Sequence, residues 1–392
     1  MTPPDLVVLG GGYAGILAAL RAKSRAAHRA NVTLVSDRDT LVERVRLHEA
    51  AVYGRNVEHP LSSFLEGTGV NLVRARATRI DAAARTLHTD AAPIRYDALV
   101  LTAGSTTAPP TIPGAREHAH LLEPWSVAAV HARLEALRGR RAAIVVVGAG
   151  LTGIEIAAEI AESHPDHSVT IVTSGEVGAL LGAGARRAIV QGLDRLGVHR
   201  LEGARVEALT DREALTDRAT LPCDLCIWTG GFRATSLAAE AGFSVNGRGQ
   251  LRLDPYLRAL GHDDVWVAGD AGSPAMAPGD PIELGCKSAM PMGVHAAENA
   301  VKTLLGAPVV PFDLRDTGYC ISLGRRDGVV EAKVPGWVVT GRLAAFLKER
   351  IVRFTVASLR WEARGQFRYR WARTGHAPRA LLPREAPAVE TR

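Results

Sequence analysis

The stretch VVVGAGLTGIE, residues 145–155, decides the fold. An apolar strand runs into Gly148-x-Gly150-x-x-Gly153, and a helical pattern follows. In such a turn the first glycine permits the tight bend, the second lets the backbone approach a pyrophosphate, and the third packs the helix on the strand. The N-terminus of the helix then offers N–H donors to phosphates. The stretch therefore predicts a βαβ unit that binds a dinucleotide.

The chain contains this unit twice. LVVLGGGYAG at residues 6–15 holds the same turn as Gly10-x-Gly12-x-x-Gly15. After each turn a second strand follows at nearly the same distance, then short β-type runs, and finally a Thr-small-Gly tripeptide, Thr102-Ala103-Gly104 or Thr229-Gly230-Gly231. One such turn is weak evidence, but two in matching contexts are strong. We predict an α/β fold with two Rossmann-like domains that hold two dinucleotides, for which FAD with NADH or NADPH is the economical pair.

Composition agrees with an ordinary globular protein. The 392 residues are 47% hydrophobic, the mean hydropathy is +0.04, and no run of eighteen uncharged apolar residues occurs. Four cysteines are too few for a disulfide scaffold, so we expect a reducing cytoplasmic location without a signal peptide. No His, Cys and carboxylate cluster has metal-binding spacing, and we predict no metal site.

Positive charge is concentrated near the C-terminus. Ten Arg and Lys side chains against two Glu give residues 340–379 a net charge of +8, so the rest of the +6 chain is close to −2. The body of the protein is therefore not expected to bind nucleic acid. GRLAAFLKERIVRFTVASLRWEARG (341–365) predicts an amphipathic basic helix, with Leu343, Leu347, Ile351 and Phe354 at near-helical spacing. The final LLPREAPAVETR has a composition typical of disorder.

Several motifs resemble the flavoproteins with two dinucleotide-binding domains, and within them the type II NADH dehydrogenases. The resemblance covers roughly residues 5–335. It rests on five motifs: GGGYAG (10–15), TAGS (102–105), VVGAGLTGIE (146–155), TGGF (229–232) and DVWVAGDAG (264–272). It implies a glutathione-reductase-like arrangement with a split FAD domain at 1–110 and 262–335, an NAD(P)H domain at 111–261, and a basic helical tail at 336–392.

The resemblance also implies roles for individual residues. It places the FAD diphosphate on the first turn and NAD(P)H on the second, with Asp270 on the ribityl chain and pyrophosphate of FAD. Glu155, expected in the first turn of its helix, would help to place the nicotinamide. The implied FAD-binding residues are Gly10, Gly12, Tyr13, Ala14, Gly15, Asp37, Arg44, Ala103, Gly104, Asp270 and Lys287. Those implied for NAD(P)H are Gly148, Gly150, Leu151, Thr152, Gly153, Glu155, Gly230 and Gly231.

The sequence departs from that family where the quinone contacts are expected. Type II NADH dehydrogenases carry Ala-Gln-x-Ala-x-Gln beside the flavin, whereas this chain reads Cys286-Lys287-Ser288-Ala289-Met290-Pro291. Both glutamines are absent, and we expect Pro291 in the first turn of a helix. Lys287 is either a cation that stabilises reduced flavin, and so a catalytic residue with Glu155, or a solvated lysine.

The end of each second strand bears on the ribose contacts. Asp37 follows the first of these strands and is assigned to the ribose of FAD. At the corresponding place in the second unit Thr173, Ser174 and Gly175 provide no acid, Glu176 comes late, and no arginine is adjacent. The choice between NADH and NADPH stays open.

Two further patterns have competing interpretations. Arg44, Arg46 and His48 in VERVRLHE would share one face of an extended chain beside the flavin, or belong to a solvated basic loop. Cys223 and Cys226 form a CxxC pattern that enters an apolar strand, so we expect their side chains on opposite faces and a structural role. Cys286 and Cys320 remain a candidate redox pair.

These observations predict an FAD-dependent NAD(P)H oxidoreductase. Hydride passes from NAD(P)H to N5 of FAD, and electrons then pass to a quinone or a similar acceptor. One alternative is a soluble flavin oxidoreductase that serves an electron-transfer protein or a small secondary metabolite. Another is a non-enzymatic redox sensor. The basic helix either binds the inner membrane surface or packs on the protein's own core or on a homodimer partner.

Overall fold

The computed structural model describes residues 2–274, 285–334 and 336–373. Within them the chain forms ten α-helices, two 3₁₀ turns (Arg44–Arg46 and Gly269–Ala271) and several sheets. The helices, in chain order, are α1 Tyr13–Ala26, α2 Leu47–Tyr53, α3 Ser62–Leu65, α4 Ala115–His118, α5 Val127–Leu137, α6 Leu151–Ser163, α7 Ala183–Arg195, α8 Leu237–Glu240, α9 Cys286–Leu304 and α10 Gly341–Ala363.

Two five-stranded parallel sheets form the body of the protein, one in each repeat. Their central strands are apolar and buried on both faces, as helix-covered parallel strands require. The first sheet has the spatial order Val265–Val267, Ala98–Leu101, Asp5–Leu9, Asn31–Ser36, Asn71–Arg74. The second has the order Ala119–Leu121, Leu225–Trp228, Ala143–Val147, Ser168–Thr173, His199–Glu202. The predicted α/β fold with two Rossmann-like units is confirmed.

The repeat extends to strand register and to the meanders. Leu6 pairs with Val32 in the first sheet, and Ile144 pairs with Val169 in the second. Each unit carries a three-stranded antiparallel meander, which precedes the parallel strand Ala98–Leu101 in the first unit and Leu225–Trp228 in the second. The meander strands are Ala77–Asp81, Thr86–Thr89 and Ile94–Arg95 in the first unit, and Val206–Leu209, Glu213–Thr216 and Thr220–Pro222 in the second.

Smaller sheets complete the fold. Two-stranded pairs join Thr40–Val42 with Glu58–Pro60, Ser105–Thr107 with Phe232–Ala234, and Leu251–Arg252 with Gly272–Ser273. A C-terminal sheet contains Gly318–Ser322, Gly328–Ala332 and Trp337–Thr340. The pair formed by Ser105–Thr107 and Phe232–Ala234 marks the place where the chain passes between the two units.

The hydrophobic cores bear on the domain boundaries. Phe243 and Leu253 lie in the core of the first unit, whereas Tyr319 and Ile321 pack in the core that contains α6. We therefore propose that the predicted 111–261 and 262–335 boundaries be moved. The return to the first unit then falls near the Phe232–Ala234 strand, and the C-terminal sheet goes with the second unit.

Helix α10 has a buried face that differs from the one expected. Ala344, Lys348, Val352 and Leu359 are buried, while Leu343, Ile351 and Phe354 are exposed. The helix packs on the protein through a stripe of small and aliphatic side chains, and its larger apolar side chains point outward. The amphipathic helix is confirmed, but the predicted apolar stripe does not face the core. The basic residue Arg379 and the final LLPREAPAVETR stretch lie outside the described residues.

Candidate dinucleotide and acceptor site

The first and third glycines of both turns are fixed by close backbone packing. A Cβ built on Gly15 would lie 1.8 Å from the carbonyl oxygen of Gly10, and one built on Gly153 would lie 1.9 Å from that of Gly148. The backbone φ is +118° at Gly10 and +107° at Gly148, in the region that favours glycine. These four positions admit no other side chain without a shift of the backbone.

The middle glycine of each turn instead faces open space. A Cβ built on Gly12 or on Gly150 would meet no atom of the described residues within 4 Å. Each of these residues is the N-cap of a helix, α1 or α6, and neither helix start has a side-chain cap or an acidic residue in its first turn. The free N–H groups and the open space together fit a diphosphate at each turn.

A threonine hydroxyl closes each turn in the same way. The Oγ1 of Thr102 donates to the carbonyl oxygen of Leu9 at 2.8 Å, and the Oγ1 of Thr229 donates to that of Val147 at 3.0 Å. These bonds hold the Thr-small-Gly tripeptides against the glycine turns. Ala103-Gly104 and Gly230-Gly231 therefore lie beside the turns with which the sequence associated them.

Helix α9 lies directly against the first turn. A Cβ on Gly293 would lie 2.4 Å from the carbonyl oxygen of Ala14, so the two backbones touch there. Asn299 fixes the far end of α9 by donating to the carbonyl oxygen of Val310 at 2.8 Å and accepting from its N–H at 3.1 Å. The expectation for Pro291 is wrong, because α9 begins at Cys286 and the proline lies inside the helix.

Two of the predicted FAD-binding residues, Asp270 and Tyr13, lie near the first turn. The carboxylate of Asp270 accepts from Ser105 Oγ at 2.8 Å and from the N–H of Gly285 at 3.1 Å, which ties it to the start of α9. The buried hydroxyl of Tyr13 has no hydrogen-bond partner among the described residues, and burial raises its pKa. A polar atom without a partner beside an open glycine turn fits a bound cofactor.

Three other candidates have partners within the protein. Arg44 forms a bidentate pair with the buried Glu123, at 2.7 and 2.9 Å. Lys287 Nζ lies 2.9 Å from Asp316 and 3.6 Å from the ring centroid of Tyr319, so it is not simply a solvated lysine. Asp37 is exposed immediately after its strand, and its Oδ2 lies 3.9 Å from Nη2 of Arg76.

Glu155 lies in a buried pocket of polar groups where α6 meets the C-terminal sheet and α10. Its Oε1 accepts from the N–H of Ser322 at 2.9 Å, from Ser322 Oγ at 3.1 Å, and from Nζ of Lys348. Burial alone would raise the pKa of Glu155, but Lys348 and then His48 hold it below its usual value. Because α6 begins at Leu151, Glu155 lies in the second turn and not in the first as predicted.

His48 is packed beside this pair. Its Nδ1 lies 3.6 Å from Glu155 Oε2, and its Nε2 lies 3.8 Å from Glu159 Oε1. Burial lowers the pKa of His48 to about 4, against the opposing effect of Glu155, so the imidazole is neutral near pH 7. Burial raises the pKa of Glu159, which accepts a 2.7 Å hydrogen bond from the hydroxyl of Tyr53.

The structure therefore contradicts both the extended face and the solvated loop predicted for VERVRLHE. Residues Arg44–Arg46 form a 3₁₀ turn and Leu47–Tyr53 form α2, so the three basic side chains do not line an extended face. The segment is not a solvated loop either, because His48 is buried and Arg46 pairs with Glu43, Glu49 and Glu349.

Sequence reasoning missed Lys348, Ser322 and Glu159 as site residues. A sequence pattern could have identified Glu159. It lies four positions after Glu155 among Ile and Ala residues, so the two acids must share a buried face of the helix. No sequence pattern could have identified Lys348, because the helical periodicity placed it among the polar residues of a surface helix.

The cysteines form no disulfide. Cys223 and Cys226 lie in the same buried core cluster, and a hydrogen bond from Cys226 lowers the pKa of Cys223. The expectation of opposite faces is wrong, because only Cys226 lies within the strand Leu225–Trp228. Burial raises the pKa of Cys286 to about 11 and that of Cys320 to about 12, so both are protonated thiols at neutral pH.

Comparison with known proteins agrees with this geometry. The family model described as pyridine nucleotide-disulphide oxidoreductase matches residues 4–301. A NADH dehydrogenase-like protein of Mycobacterium tuberculosis is 32% identical over 329 residues, covering 78% of this chain and 82% of its own length. A type II NADH:quinone oxidoreductase of Staphylococcus saprophyticus is 28% identical over 378 residues, covering 88% and 93%.

Solved structures share the fold. The sulfide:quinone oxidoreductase of Aquifex aeolicus superposes with a TM-score of 0.81 at 17% identity, covering 92% of each chain. No helix among the described residues is both long and apolar enough to cross a membrane.

Proposed function

Because this chain belongs to the pyridine nucleotide-disulphide oxidoreductase family, we propose that it is an NAD(P)H:acceptor reductase with a quinone-type acceptor. Its relatives support dependence on FAD and NAD(P)H. The single observation that carries the proposal is the pair of matched glycine turns, each with an open middle glycine at the start of a helix. When bound, FAD accepts a hydride from NAD(P)H and passes two electrons to the acceptor.

The first turn is proposed to hold FAD. Gly12 and Tyr13 offer N–H groups at the start of α1, and Asp270 orders the segment between Ser105 and α9. The contact between Ala14 and Gly293 keeps α9 close to that turn. The residues at 286–291 are thereby held beside the cofactor, where Lys287 supplies a positive charge already oriented by Asp316.

The second turn is proposed to hold NAD(P)H, with Gly150, Leu151 and Thr152 at the diphosphate. Glu155 follows in the next turn of α6 and is held as an anion by Lys348. We propose that Glu155 positions the nicotinamide and that Lys348 orients Glu155. Reduction of a quinone to a quinol consumes two protons. The hydroxyl of Ser322 accepts a hydrogen bond from Lys348, so that Ser322 can take part with Lys348 and Glu155 in delivering these protons.

We also propose that α10 rests on a membrane surface. Leu343, Ile351 and Phe354 are exposed on its outer side, and Trp337 of the adjacent sheet is 68% exposed. Large exposed apolar side chains beside arginines are typical of interfacial helices. The alternative is that a second copy of this chain covers the same surface in a homodimer.

The first experiment is an anaerobic titration of the FAD-loaded protein with NADH and, in parallel, with NADPH. Bleaching of the flavin bands near ~450 nm by either nucleotide is the expected result. Addition of a short-chain quinone to the reduced protein should restore the bands. A protein that retains its yellow colour with both nucleotides would contradict the reductase and favour a redox sensor. Reoxidation by a small redox protein but not by the quinone would favour the soluble alternative.

A further inference from the structure

A cleft of about 390 Å³ opens between the loop that follows Gly318–Ser322 and the first half of α10. Its volume lies within the range of small-molecule sites. Six cationic side chains line it, against one acid, Glu349. These cations are Arg55, Arg325, Arg326, Arg342, Lys348 and Arg353. A neutral quinone would leave the excess of these cationic side chains without a counter-charge, whereas an anionic ligand would supply one.

The cations differ in how far they are already neutralised. Arg55 and Arg325 pair with the buried Glu49 at 2.7 and 2.9 Å, and Arg353 pairs with Glu349 at 2.6 Å. Lys348 pairs with Glu155. Arg326 and Arg342 have no ion-pair or hydrogen-bond partner for their side chains among residues 2–274, 285–334 and 336–373. Two guanidinium groups are thus left for a ligand.

The inner end of the cleft reaches the candidate site. Ser322 and Lys348 are both buried, line the cleft, and hydrogen-bond to Glu155. Ala345 and Phe346 add an apolar wall, and Phe346 is 60% exposed. A ligand with a flat ring at the inner end and an anionic group at the mouth would match this distribution of surfaces.

We propose that the cleft binds an electron acceptor whose quinonoid ring carries a negatively charged substituent, a carboxylate, sulfonate or phosphate. Arg326 and Arg342 bind the anionic group, and the ring lies against Phe346 with a carbonyl directed toward Lys348. The proposal rests on the proposed reductase function and names its acceptor class. The reaction balances, since NAD(P)H and one proton from solvent supply the two electrons and two protons that turn the quinone into a quinol.

This assignment agrees with a departure noted in the sequence. The residues at 286–291 lack both glutamines of the type II NADH dehydrogenase pattern, so the contacts to a neutral quinone expected there are absent. The cleft lies apart from residues 286–291, and its guanidinium groups form strong, charge-assisted hydrogen bonds that select for anions.

The test uses the full-length, FAD-loaded protein with saturating NADH and two acceptors, 1,4-naphthoquinone-2-sulfonate and unsubstituted 1,4-naphthoquinone. The measured quantity is the ratio of kcat/KM for the sulfonate to kcat/KM for the neutral compound. Because both acceptors are used with every variant, their difference in redox potential cancels. We expect the ratio to fall about tenfold in Arg326→Gln/Arg342→Gln, the loss typical of one charge-assisted contact. Lysine at both positions should restore part of it.

Arg350→Gln is the matched control, since Arg350 is exposed on the same helix and does not line the cleft. It should change the ratio less than twofold. The redox-inert naphthalene-2-sulfonate should compete with the sulfonated acceptor in the unmodified protein and bind at least tenfold more weakly to the double variant.

The outcomes separate the two proposals. Flavin that NADH does not reduce would overturn the proposed function itself. Flavin that is reduced, with a ratio unchanged in the double variant, would overturn only the anionic acceptor. Competition by phosphatidylglycerol vesicles without competition by naphthalene-2-sulfonate would also overturn it, and would assign the cleft to a lipid headgroup.

Discussion

Nζ of Lys348 donates a hydrogen bond to Oε1 of Glu155 across 193 positions of the sequence, and both side chains are buried. The bond joins α10 to the helix that follows the second glycine turn. A buried carboxylate without its cation would keep the full cost of its desolvation. The C-terminal helix is therefore part of the candidate site as well as a surface element.

Replacement of Lys348 by Met tests this coupling. The free energy of unfolding should fall by about 3–5 kcal/mol, because Glu155 is left as an unpaired buried charge. Lys348→Met/Glu155→Gln should recover a large part of the loss. Urea unfolding of the FAD-loaded proteins gives both values. Arg350→Met, an exposed change on the same helix, is the control, and an equal loss there would remove the role assigned to the buried pair.

Acid should destabilise the protein through His48. The folded protein keeps this imidazole neutral, with a pKa of about 4 against the ordinary 6.5, so the unfolded chain binds more protons between those values. The stabilising contribution is complete above pH 6.5 and is lost as the pH falls toward 4.

His48→Gln removes this linkage. Between pH 6.5 and 5 the unmodified protein should lose up to about 2 kcal/mol more unfolding free energy than the variant. Urea unfolding at both pH values measures the difference. His295 is buried as well and titrates in both proteins, so it cancels in the comparison. Parallel pH curves would show that folding does not lower the pKa of His48.

Sequence reasoning found what local patterns encode. The glycine turns, the Thr-small-Gly ends and the meanders each have a short-range reason, and the structure places them as predicted. The internal repeat was decisive, because each half supported the interpretation of the other.

Long-range pairing was not available from such patterns. Lys348 looks like one more charge on a basic amphipathic helix, and only tertiary packing buries it against Glu155. Likewise α10 has apolar side chains on more than one face, and the sequence does not say which of them meets the core. The smaller stripe around Ala344 and Val352 packs inward because it allows the helix to approach the C-terminal sheet closely.

The two glycines Gly150 and Gly153 should respond differently to the same substitution. Gly150→Ala leaves the fold intact, since nothing lies within 4 Å of the added Cβ, but it fills the space proposed for the NADH diphosphate. KM for NADH should rise at least tenfold while FAD content is retained. Gly153→Ala forces a Cβ to 1.9 Å from a carbonyl oxygen and should give little folded protein. Unchanged NADH kinetics in Gly150→Ala would exclude the second turn as the nucleotide site.

Membrane binding should depend on the outer side of α10. The triple variant Leu343→Gln, Ile351→Gln, Phe354→Gln should pellet with anionic phospholipid vesicles at least tenfold less than the unmodified protein, because each change removes an apolar side chain from the interface. Leu72→Gln, Trp125→Gln, Leu260→Gln is the control, as these side chains are equally exposed elsewhere. A smaller particle size for the first variant, without any vesicle binding by the unmodified protein, would instead identify a dimer interface.

The choice between NADH and NADPH should depend on Glu176 and Arg186. The structure brings Arg186 of α7 to the end of the Ser168–Thr173 strand, where its guanidinium lies 3.1 Å from Glu176 and 3.6 Å from Glu202. Arg186 is already paired with two carboxylates at the place where a 2′-phosphate would lie, so we expect NADH to be preferred.

Glu176→Gln should release Arg186 and raise kcat/KM for NADPH relative to NADH by about tenfold. Adding Arg186→Ala should abolish that gain, and Glu207→Gln, an exposed acid in the same unit, should have no effect. Steady-state kinetics with both nucleotides and one fixed acceptor supplies the ratios. A gain that survives in Glu176→Gln/Arg186→Ala would mean that repulsion from Glu176 alone excludes the phosphate. The guanidinium would then serve only to hold the two acids in place.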